Sequence, residues 1–455
     1  MSTATALGAL RSMVKGTVIE PGDPGYDDAR LVSNRAVDVQ PAAVVRCASA
    51  DDVAAVVTFA RASGLELAVR SGGHSAVGHG TTDGGIVIDL SPMKMIELDL
   101  DARTVWAETG LTAGELTTEL SAHGVAVGFG DTGSVGIGGI TTGGGIGYLV
   151  RKHGMTIDSV LAADVVTADG ALVRADATSH PDLFWAIRGG GGNFGVVTRF
   201  QYRVYALPEI VGGLLVLPAT ADTVTEFMAA AAAAPEALST IANVMPCPPM
   251  PFLPAEIHGQ VIILALMCYA GDAESGERAM APFRAIGTPL ADTVKAGSYT
   301  EMYPPEDPDY HPLAVGRTIF LDHVGTEGAA LIVDRLTASD AAMRVTQLRV
   351  LGGEMARVPA DATAFAHRSS KIMATCAIFY TGPDDLARRT AWVEAFAADL
   401  RQGDTAAYVN FVGDEGEARI HDAYPGATWD RLVAIKSRYD PTNLFHLNQN
   451  IPPAG

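Results

Sequence analysis

The sequence predicts an α+β protein with two lobes. The chain has 455 residues, which is long for one hydrophobic core. Glycine-rich segments are concentrated in residues 1–208, whereas residues 213–405 alternate strand-like and helix-like segments, a pattern typical of an antiparallel sheet covered by helices. We therefore predict a first lobe at 1–208 with its core at about 37–208, a second lobe at 209–405, and a segment at 406–455 that returns to the first lobe.

Local signals define most elements of the first lobe. Ser49 is expected to cap a helix that Gly64 closes. Thr112 and Glu115 form a predicted capping box. Further expectations are strands at 65–70 and 84–90, hairpins at 95–109 and around Asp169-Gly170, and helices at 181–187 and 428–439, the last ended by Pro441.

The densest glycine stretch is VGIGGITTGGGIG at residues 135–147. Seven glycines and Thr142 leave eight of its 13 positions with little or no side chain, so a ligand can lie against bare backbone amides. Ordering so many glycines costs conformational entropy, and an anion such as a pyrophosphate, held by several N–H groups, is the usual compensation. A flexible linker is the alternative, but a linker would carry Ser or charge where this stretch has valine and isoleucine.

A second glycine motif has the wrong surroundings for a dinucleotide fingerprint. Gly190, Gly192 and Gly195 have the spacing G-x-G-x-x-G. That fingerprint requires a strand before it and a helix after it. Here a predicted helix precedes the motif and an apolar strand follows, so we reject a Rossmann site.

Charge and composition exclude several classes of partner. A net charge of −20 argues against binding nucleic acid, whose recognition requires a surplus of Lys and Arg. We see neither a signal peptide nor a run long enough to cross a bilayer, and we expect a cytoplasmic protein without a membrane partner. Cys47, Cys247, Cys268 and Cys376 match neither a zinc site nor a disulfide framework and are predicted to be buried thiols.

His74 lies in another glycine-rich loop, nearer the N-terminus, with the sequence RSGGHSAVGHG at residues 70–80. Its imidazole is either a reactive group or an ordinary hydrogen-bonding or solvent-facing side chain. Its neighbour His79 suggests a metal ligand, but the loop offers no Cys, Asp or Glu ligand beside it, so no metal is expected.

Tyr408 and Asn410 are predicted to share one face of a strand, with Val409 and Phe411 packed on the other. A phenol and an amide that face a cavity could deprotonate and orient a substrate. The alternative is a buried tyrosine satisfied by a backbone carbonyl. Since a free phenol titrates near about 10, a base role requires a lowered pKa or proton loss concerted with bond breaking. Candidate pocket residues in the second lobe are Tyr299, Tyr303, Tyr310, His311, Asp322 and His323.

Together the motifs resemble a known family. RSGGHS, VGIGGITTGGGIGYLVRKHGMTIDSV, DLFWAIRGGGGNFGVVTRF, YVNF and YDPTNLFHLNQNI are similar to the vanillyl-alcohol-oxidase/p-cresol-methylhydroxylase (PCMH) flavoproteins, in their berberine-bridge-enzyme-like branch. The likeness covers the first 208 residues and the tail, and extends to the middle lobe only through weaker patterns such as 357–368. It implies a PCMH-type FAD-binding fold with extended FAD.

By this resemblance, His74 is the residue bonded to the flavin 8α-methyl carbon. Arg70 to Ser75 and Gly138 to Gly145 would enclose the pyrophosphate and ribityl chain, Val196 the adenine, and Asn448 with Asn450 the isoalloxazine ring. The complete implied cofactor set is Arg70, Ser71, Gly72, Gly73, His74, Ser75, Gly78, His79, Thr132, Val135, Gly138, Gly139, Thr142, Gly143, Gly144, Gly145, Gly147, Val196, Asn448 and Asn450.

Two positions refine the implied chemistry. Members with two covalent links carry a cysteine where this chain has Thr132, whose hydroxyl cannot form a thioether, so one link is expected. At the position matching Val135, valine is similar to oxidases and leucine to dehydrogenases, which favours oxygen as the electron acceptor.

The resemblance therefore implies an FAD-dependent oxidase acting on an alcohol, amine or phenolic small molecule. Tyr408 would remove a proton while hydride passes to flavin N5, Asn410 would orient the substrate or Tyr408, and oxygen would become hydrogen peroxide. The alternatives are a dehydrogenase with another acceptor, a nicotinamide-linked flavin reductase, and a flavin-carrying binding protein without catalysis.

Overall fold

The first lobe contains a mixed four-stranded sheet and an antiparallel five-stranded sheet. The structure is a computed structural model that describes residues 3–307 and 310–455. The mixed sheet has the order Thr17–Ile19, Ala43–Arg46, Ile86–Asp89, Leu67–Arg70, with only the first pair antiparallel. The five-stranded sheet has the order Ile96–Asp99, Thr104–Glu108, Val196–Arg203, Val160–Val166, Leu172–Asp176. A short pair, Val125–Ala126 with Tyr205–Ala206, completes the strands of this lobe within the described ranges.

The capping signals of the first lobe are confirmed. Ser49 accepts a hydrogen bond from the Asp52 backbone, and Gly64 ends that helix in the left-handed region at φ 70°. Thr112 and Glu115 form both bonds of a capping box. The α-helices are Thr3–Met13, Tyr26–Arg30, Ala50–Ser63, Ala113–Ser121, Ile137–Gly143, Val150–His153 and Pro181–Ala186, with a 3₁₀ turn at Thr156–Asp158.

The rejected dinucleotide motif has the surroundings that its sequence predicts. The helix Pro181–Ala186 precedes the three glycines, and the strand Val196–Arg203 follows them. The hairpin at Asp169-Gly170 is also present, because Val160–Val166 pairs antiparallel with Leu172–Asp176. Both strands belong to the five-stranded sheet.

The middle of the chain forms one antiparallel eight-stranded sheet, as predicted. Its order is Ala291–Asp292, Ile210–Pro218, Val261–Tyr269, Leu238–Pro246, Arg344–Val350, Ile372–Phe379, Ala314–Leu321, and Lys295–Gly297 pairs beside Ile210–Pro218. Helices Ala221–Ala233, Ala273–Arg284, Thr326–Ala338 and Pro383–Leu400 pack against it in one large apolar core. Shorter elements are the helix Glu354–Arg357 and the 3₁₀ turns Ala255–Ile257 and Tyr299–Met302.

The other face of this sheet packs on the first lobe. Ile241 and Cys268 belong to one buried cluster with Tyr148 and Leu149 of the first lobe. A second cluster joins Phe320 to the neighbouring first-lobe segment and to Tyr408. All four cysteines are buried and free, as expected. The predicted boundaries near residues 208 and 405 stay predictions.

The last segment returns to the first lobe around a buried charge. It contains the 3₁₀ turn Val409–Phe411 and the helices Glu417–Ala423 and Ala427–Tyr439. The ammonium group of Lys436 is fully buried and donates to Asp440 Oδ2 at 2.6 Å, to Asn193 O at 2.8 Å and to Phe445 O at 2.9 Å. Asn193 Oδ1 in turn accepts from the Ile451 backbone at 2.9 Å. The tail is thus bound to the glycine loop of residues 189–195. No helix in the described ranges is long and apolar enough to cross a membrane.

Candidate active site

A cavity of about 520 Å³ lies where the glycine loops, the tail and one strand of the large sheet meet. This size is within the range of sites that bind cofactors and small molecules. Fourteen predicted cofactor residues line it: Arg70, Ser71, Gly72, Gly73, His74, Ser75, His79, Thr132, Val135, Gly138, Gly139, Thr142, Val196 and Asn448. Both predicted catalytic residues, Tyr408 and Asn410, also line it.

Two glycines present bare backbone to this cavity. At Gly139 and at Gly192, a Cβ atom would meet no protein atom within 4 Å, although both residues are in the cavity wall. Gly72 and Gly136 have a different role, because a Cβ at Gly72 would lie 2.3 Å from Gly136 N. These two glycines allow two loops to touch, which gives the wall its shape.

Gly143, Gly144 and Gly145 do not line the cavity, in contrast to the cofactor role predicted for them. A Cβ at Gly143 would lie 1.9 Å from Asn410 Oδ1, and one at Gly144 would lie 2.8 Å from Tyr408 Cε2. Gly145 donates its N–H to Tyr408 Oη at 2.7 Å. The three glycines therefore hold the predicted catalytic pair.

Three further cofactor predictions also lie outside the cavity wall. A Cβ at Gly78 would contact Val37, and one at Gly147 would lie 2.3 Å from Phe129 O, so both glycines allow close packing of protein on protein. Asn450 is likewise absent from the wall, whereas Gln449 lines it. The second-lobe candidates Tyr299, Tyr303, Tyr310, His311, Asp322 and His323 are not part of the wall either.

The strand predicted at 408–411 is wrong. Val409–Phe411 is a single 3₁₀ turn, and only Tyr408 has extended backbone there. In this turn, Asn410 Nδ2 donates to Tyr408 Oη at 3.0 Å and to Ile140 O at 3.1 Å. The expected proximity of Tyr408 and Asn410 is therefore present for another geometric reason. Phe411 also lines the cavity, so it does not pack away from the pair as the strand register required.

The phenol of Tyr408 is buried, with 2% of its surface exposed. Its oxygen accepts two N–H donors, Gly145 N and Asn410 Nδ2, so the alternative of a tyrosine that only donates to a backbone carbonyl does not describe it. Burial raises the pKa of Tyr408, while the two donors and the positive charge of Arg349 oppose that rise. The neutral phenol is the resting form, and its own hydrogen is directed away from both donors.

Arg349 and Asp131 were missed in the sequence. Arg349 Nη2 donates to Asp131 Oδ2 at 2.7 Å and Nη1 to Ile146 O at 3.0 Å, and its guanidinium lies 5.4 Å from the centre of the Phe411 ring. Arg349 is 4% exposed and lines the cavity. Nothing in the sequence relates it to Asp131, which lies 218 positions earlier.

His74 faces the cavity, with its Nε2 atom 3.0 Å from Ser134 Oγ. Burial lowers the pKa of His74, although the negative charge of Glu306 acts to raise it. Burial lowers the pKa of His79 to about 4, so this second histidine is neutral at pH 7. Among the described residues there is no cluster of His, Cys, Asp and Glu that could hold a metal.

Two predicted residues use their polar atoms to brace the loops. Arg70 donates to Ala29 O at 2.6 Å and to Asp89 Oδ2 at 3.0 Å. Ser71 Oγ donates to Thr109 O at 2.5 Å and accepts from Gly138 N at 3.2 Å. The loop that carries His74 is thereby fixed at its start.

Comparison with known proteins identifies the family. The "FAD binding domain" profile matches residues 41–176, and the "Berberine and berberine like" profile matches residues 407–452. The chain is 30% identical over 457 residues to (R)-6-hydroxynicotine oxidase of Paenarthrobacter nicotinovorans, covering 97% of this chain and 98% of that protein. The chain belongs to the berberine-bridge-enzyme-like FAD-linked oxidoreductases.

Other relatives of this berberine-bridge-like protein are also named oxidases. It is 30% identical over 451 residues to xylooligosaccharide oxidase of Thermothelomyces thermophilus, covering 91% of this chain and 88% of that one. Its structure matches that of 6-hydroxy-D-nicotine oxidase from Arthrobacter nicotinovorans with a TM-score of 0.86 and 27% identity, over 97% of this chain and 98% of that chain. Physcomitrella patens BBE-like 1 shares the fold, with a TM-score of 0.87 at 22% identity over the whole of both chains.

The cavity of this berberine-bridge-like chain has the chemistry that FAD requires. The Oδ1 atom of Asn448, which lies in the cavity wall, is buried without a hydrogen-bond partner among the described residues. Buried polar atoms of this kind require a partner, and the isoalloxazine ring carries N–H and carbonyl groups. Gly139 and Gly192, in the wall of the same cavity, leave backbone open to a ligand.

Proposed function

We propose that the protein is an FAD-dependent oxidase whose flavin is bonded to His74 by one link, and that it oxidises an alcohol, amine or phenolic small molecule with oxygen as acceptor. One observation carries this proposal: the phenol oxygen of Tyr408 accepts two N–H donors at the cavity wall. Two N–H donors on one phenol oxygen stabilise the phenolate, which is the form of Tyr408 that can accept a proton from the substrate.

The residues would divide the work as follows. Bound FAD supplies the two-electron acceptor that protein side chains lack. Arg70 to Ser75, Gly138, Gly139, Thr142, Val196 and Asn448 would hold it, and His74 would anchor it. Tyr408 would take the proton of the substrate hydroxyl or amine. Asn410, which is hydrogen-bonded both to Ile140 O and to the phenol oxygen, would hold Tyr408 in place.

Proton removal by Tyr408 depends on how its anion is stabilised. The Gly145 and Asn410 donors favour the phenolate, and so does the charge of Arg349. Burial acts in the opposite sense and dominates, so the base is a minority species at neutral pH. Aligned donors that favour charge in a dry site are a common means of lowering a barrier.

Two side chains support the finer parts of the proposal. Thr132 lies in the cavity wall and has no thiol, which supports a single link. Val135 lies in the same wall, where its small side chain supports access of oxygen and release of hydrogen peroxide. Several relatives are named oxidases, which agrees with oxygen as the electron acceptor.

The four free, buried cysteines support a cytoplasmic location, because disulfides are rare in that compartment.

The proposal is tested by screening small alcohols, amines and phenols for hydrogen peroxide release by the purified protein. The protein is also precipitated with acid, and the flavin is measured in pellet and supernatant. We expect a yellow pellet and peroxide in proportion to substrate consumed. A colourless pellet would show that the flavin is not covalently bound. Substrate oxidation that occurs only with an artificial electron acceptor would show that the protein is a dehydrogenase and not an oxidase.

A further inference from the structure

A chain of hydrogen bonds extends from His74 into the second lobe. His74 Nε2 lies 3.0 Å from Ser134 Oγ, which donates to Glu306 Oε2 at 2.6 Å. The Ser134 backbone N–H also donates to Glu306 Oε1 at 3.0 Å. One carboxylate therefore holds Ser134 by two atoms, and Ser134 contacts the imidazole.

The directions of these bonds fix the tautomer of His74. An ionised carboxylate only accepts hydrogen bonds, so the single hydroxyl hydrogen of Ser134 is used toward Glu306. Ser134 Oγ must then accept from the imidazole, which places the His74 hydrogen on Nε2. In this tautomer Nδ1 carries the lone pair of the ring and can act as the nucleophile.

The segment that carries Glu306 is anchored independently on the same loop. Tyr303 Oη donates to Gly130 O at 3.0 Å. A Cβ at Gly133 would lie 3.3 Å from Tyr303 Cβ, so the two backbones approach closely because position 133 is glycine. The contacts of Tyr303 therefore fix the second-lobe segment that places the Glu306 carboxylate beside Ser134.

We infer that Ser134 and Glu306 are positioning residues for the covalent attachment of FAD: they hold His74 in the tautomer whose Nδ1 attacks the flavin 8α-methyl carbon, and they remove its Nε2 hydrogen. This inference rests on the proposed single link to His74. It adds a role for two residues whose side chains come from different lobes.

The attachment balances as an oxidation. One C–N bond forms, between Nδ1 and the methyl carbon, while one methyl C–H bond and the imidazole N–H bond break. The methyl carbon loses two electrons, which reduce dioxygen. The proton from Nε2 passes through Ser134 Oγ to the Glu306 carboxylate and from there to solvent, and the methyl proton is released as well. These two protons balance the two that reduced dioxygen takes up as hydrogen peroxide.

The test follows attachment itself, with no substrate present. Full-length apoprotein, produced under riboflavin limitation, is mixed with FAD in air, and in-gel flavin fluorescence is measured over time for wild type, Ser134→Ala and Glu306→Gln. We expect both variants to attach flavin about 10²–10⁴-fold more slowly, the loss typical of removing proton-transfer assistance. Their non-covalent affinity for FAD, measured by flavin fluorescence quenching at early times, should equal that of wild type.

Two control variants separate positioning from folding. Ser134→Thr keeps the hydroxyl and should restore most of the attachment rate that Ser134→Ala loses. Glu226→Gln makes the same charge change on an exposed helix position of the second lobe and should have no effect. Wild-type attachment rates in Ser134→Ala and Glu306→Gln would overturn the inference, as would equal slowing in Glu226→Gln. Absence of covalent flavin in wild type would instead overturn the proposed link to His74.

Discussion

The phenol oxygen of Tyr408 accepts a hydrogen bond from the backbone amide of Gly145, 2.7 Å away in space and 263 positions away in sequence. The bond connects the glycine stretch of the first lobe to the only tyrosine in the cavity wall of the described chain. It indicates that part of the glycine stretch binds a tyrosine side chain of the protein and not the cofactor.

Replacing Tyr408 with Phe should remove the proposed base and keep the ring. We expect the rate of flavin reduction by substrate to fall by about 10²–10⁴, the usual contribution of a positioned base, with FAD still bound. Anaerobic stopped-flow absorbance measures this rate. Tyr310→Phe, at a position that is 62% exposed, is the matched control and should be neutral. Reduction of Tyr408→Phe at the normal rate would exclude the phenol from the mechanism.

The pH profile of flavin reduction should follow the deprotonated phenol. Because burial raises the pKa of Tyr408 above that of a free phenol, the phenolate fraction increases with pH throughout the neutral range. We expect the reduction rate at low substrate concentration to increase about tenfold per pH unit between about pH 7 and 9. The Tyr408→Phe variant should show no such increase. A wild-type profile that is flat over this range would contradict a phenolate base.

Replacing His74 with Ala should abolish acid-stable flavin. Only the imidazole at this position is proposed to form the link, so all flavin should appear in the supernatant after precipitation. His79→Ala is the matched control, since His79 lines the same cavity, and it should keep the flavin in the pellet. Retention by His74→Ala would identify another anchor.

Adding a methyl group at Gly144 should disturb the proposed catalytic pair, Tyr408 and Asn410. Gly144 has φ 146°, and its new Cβ would lie 2.8 Å from the Tyr408 ring and 2.7 Å from Met155 Cε. We expect Gly144→Ala to lose about 1–3 kcal/mol of stability and to slow flavin reduction by about tenfold or more through misplacement of the phenol. Urea unfolding and stopped-flow measurements check the two effects. Gly287→Ala, where a Cβ meets no atom within 4 Å, should cause neither.

Breaking the buried ion pair at Lys436 should destabilise the whole site. Removal of one partner leaves Asp440 uncompensated, which costs about 3–5 kcal/mol for a buried pair. The urea midpoint of Lys436→Met should decrease accordingly. Lys371→Met removes an exposed pair with Asp322 and should change stability by about 0–1 kcal/mol. Equal effects of the two substitutions would contradict a structural role for the buried charge.

Features that depend on neighbouring residues were predictable. The cap at Ser49, the capping box of Thr112 and Glu115 and the turn at Asp169-Gly170 are all present. Each is decided by side chains within four residues, so the sequence contains the whole interaction. The motifs around His74 and Tyr408 were likewise sufficient to locate the cavity wall.

Features that depend on the meeting of distant segments were not predictable. Four residues at 408–411 are too few to distinguish strand alternation from a 3₁₀ turn, so the strand assignment was wrong although Tyr408 and Asn410 do meet. Arg349 and Glu306 have no spacing signal, because their partners Asp131 and Ser134 come from the other lobe. Glycine identity also did not reveal whether Gly145 faces a ligand or a phenol.

The wall around the cavity combines residues 67–80 with residues 445–449, which the buried Lys436 fastens to the glycine loop. A ribosome makes the first of these segments long before the second. A nascent chain with a finished N-terminal sheet therefore still lacks one side of the cofactor enclosure. The cofactor enclosure can therefore be completed only after residue 449 has been synthesised, and a chain that stops ahead of residue 445 is expected to bind FAD less tightly than the full chain.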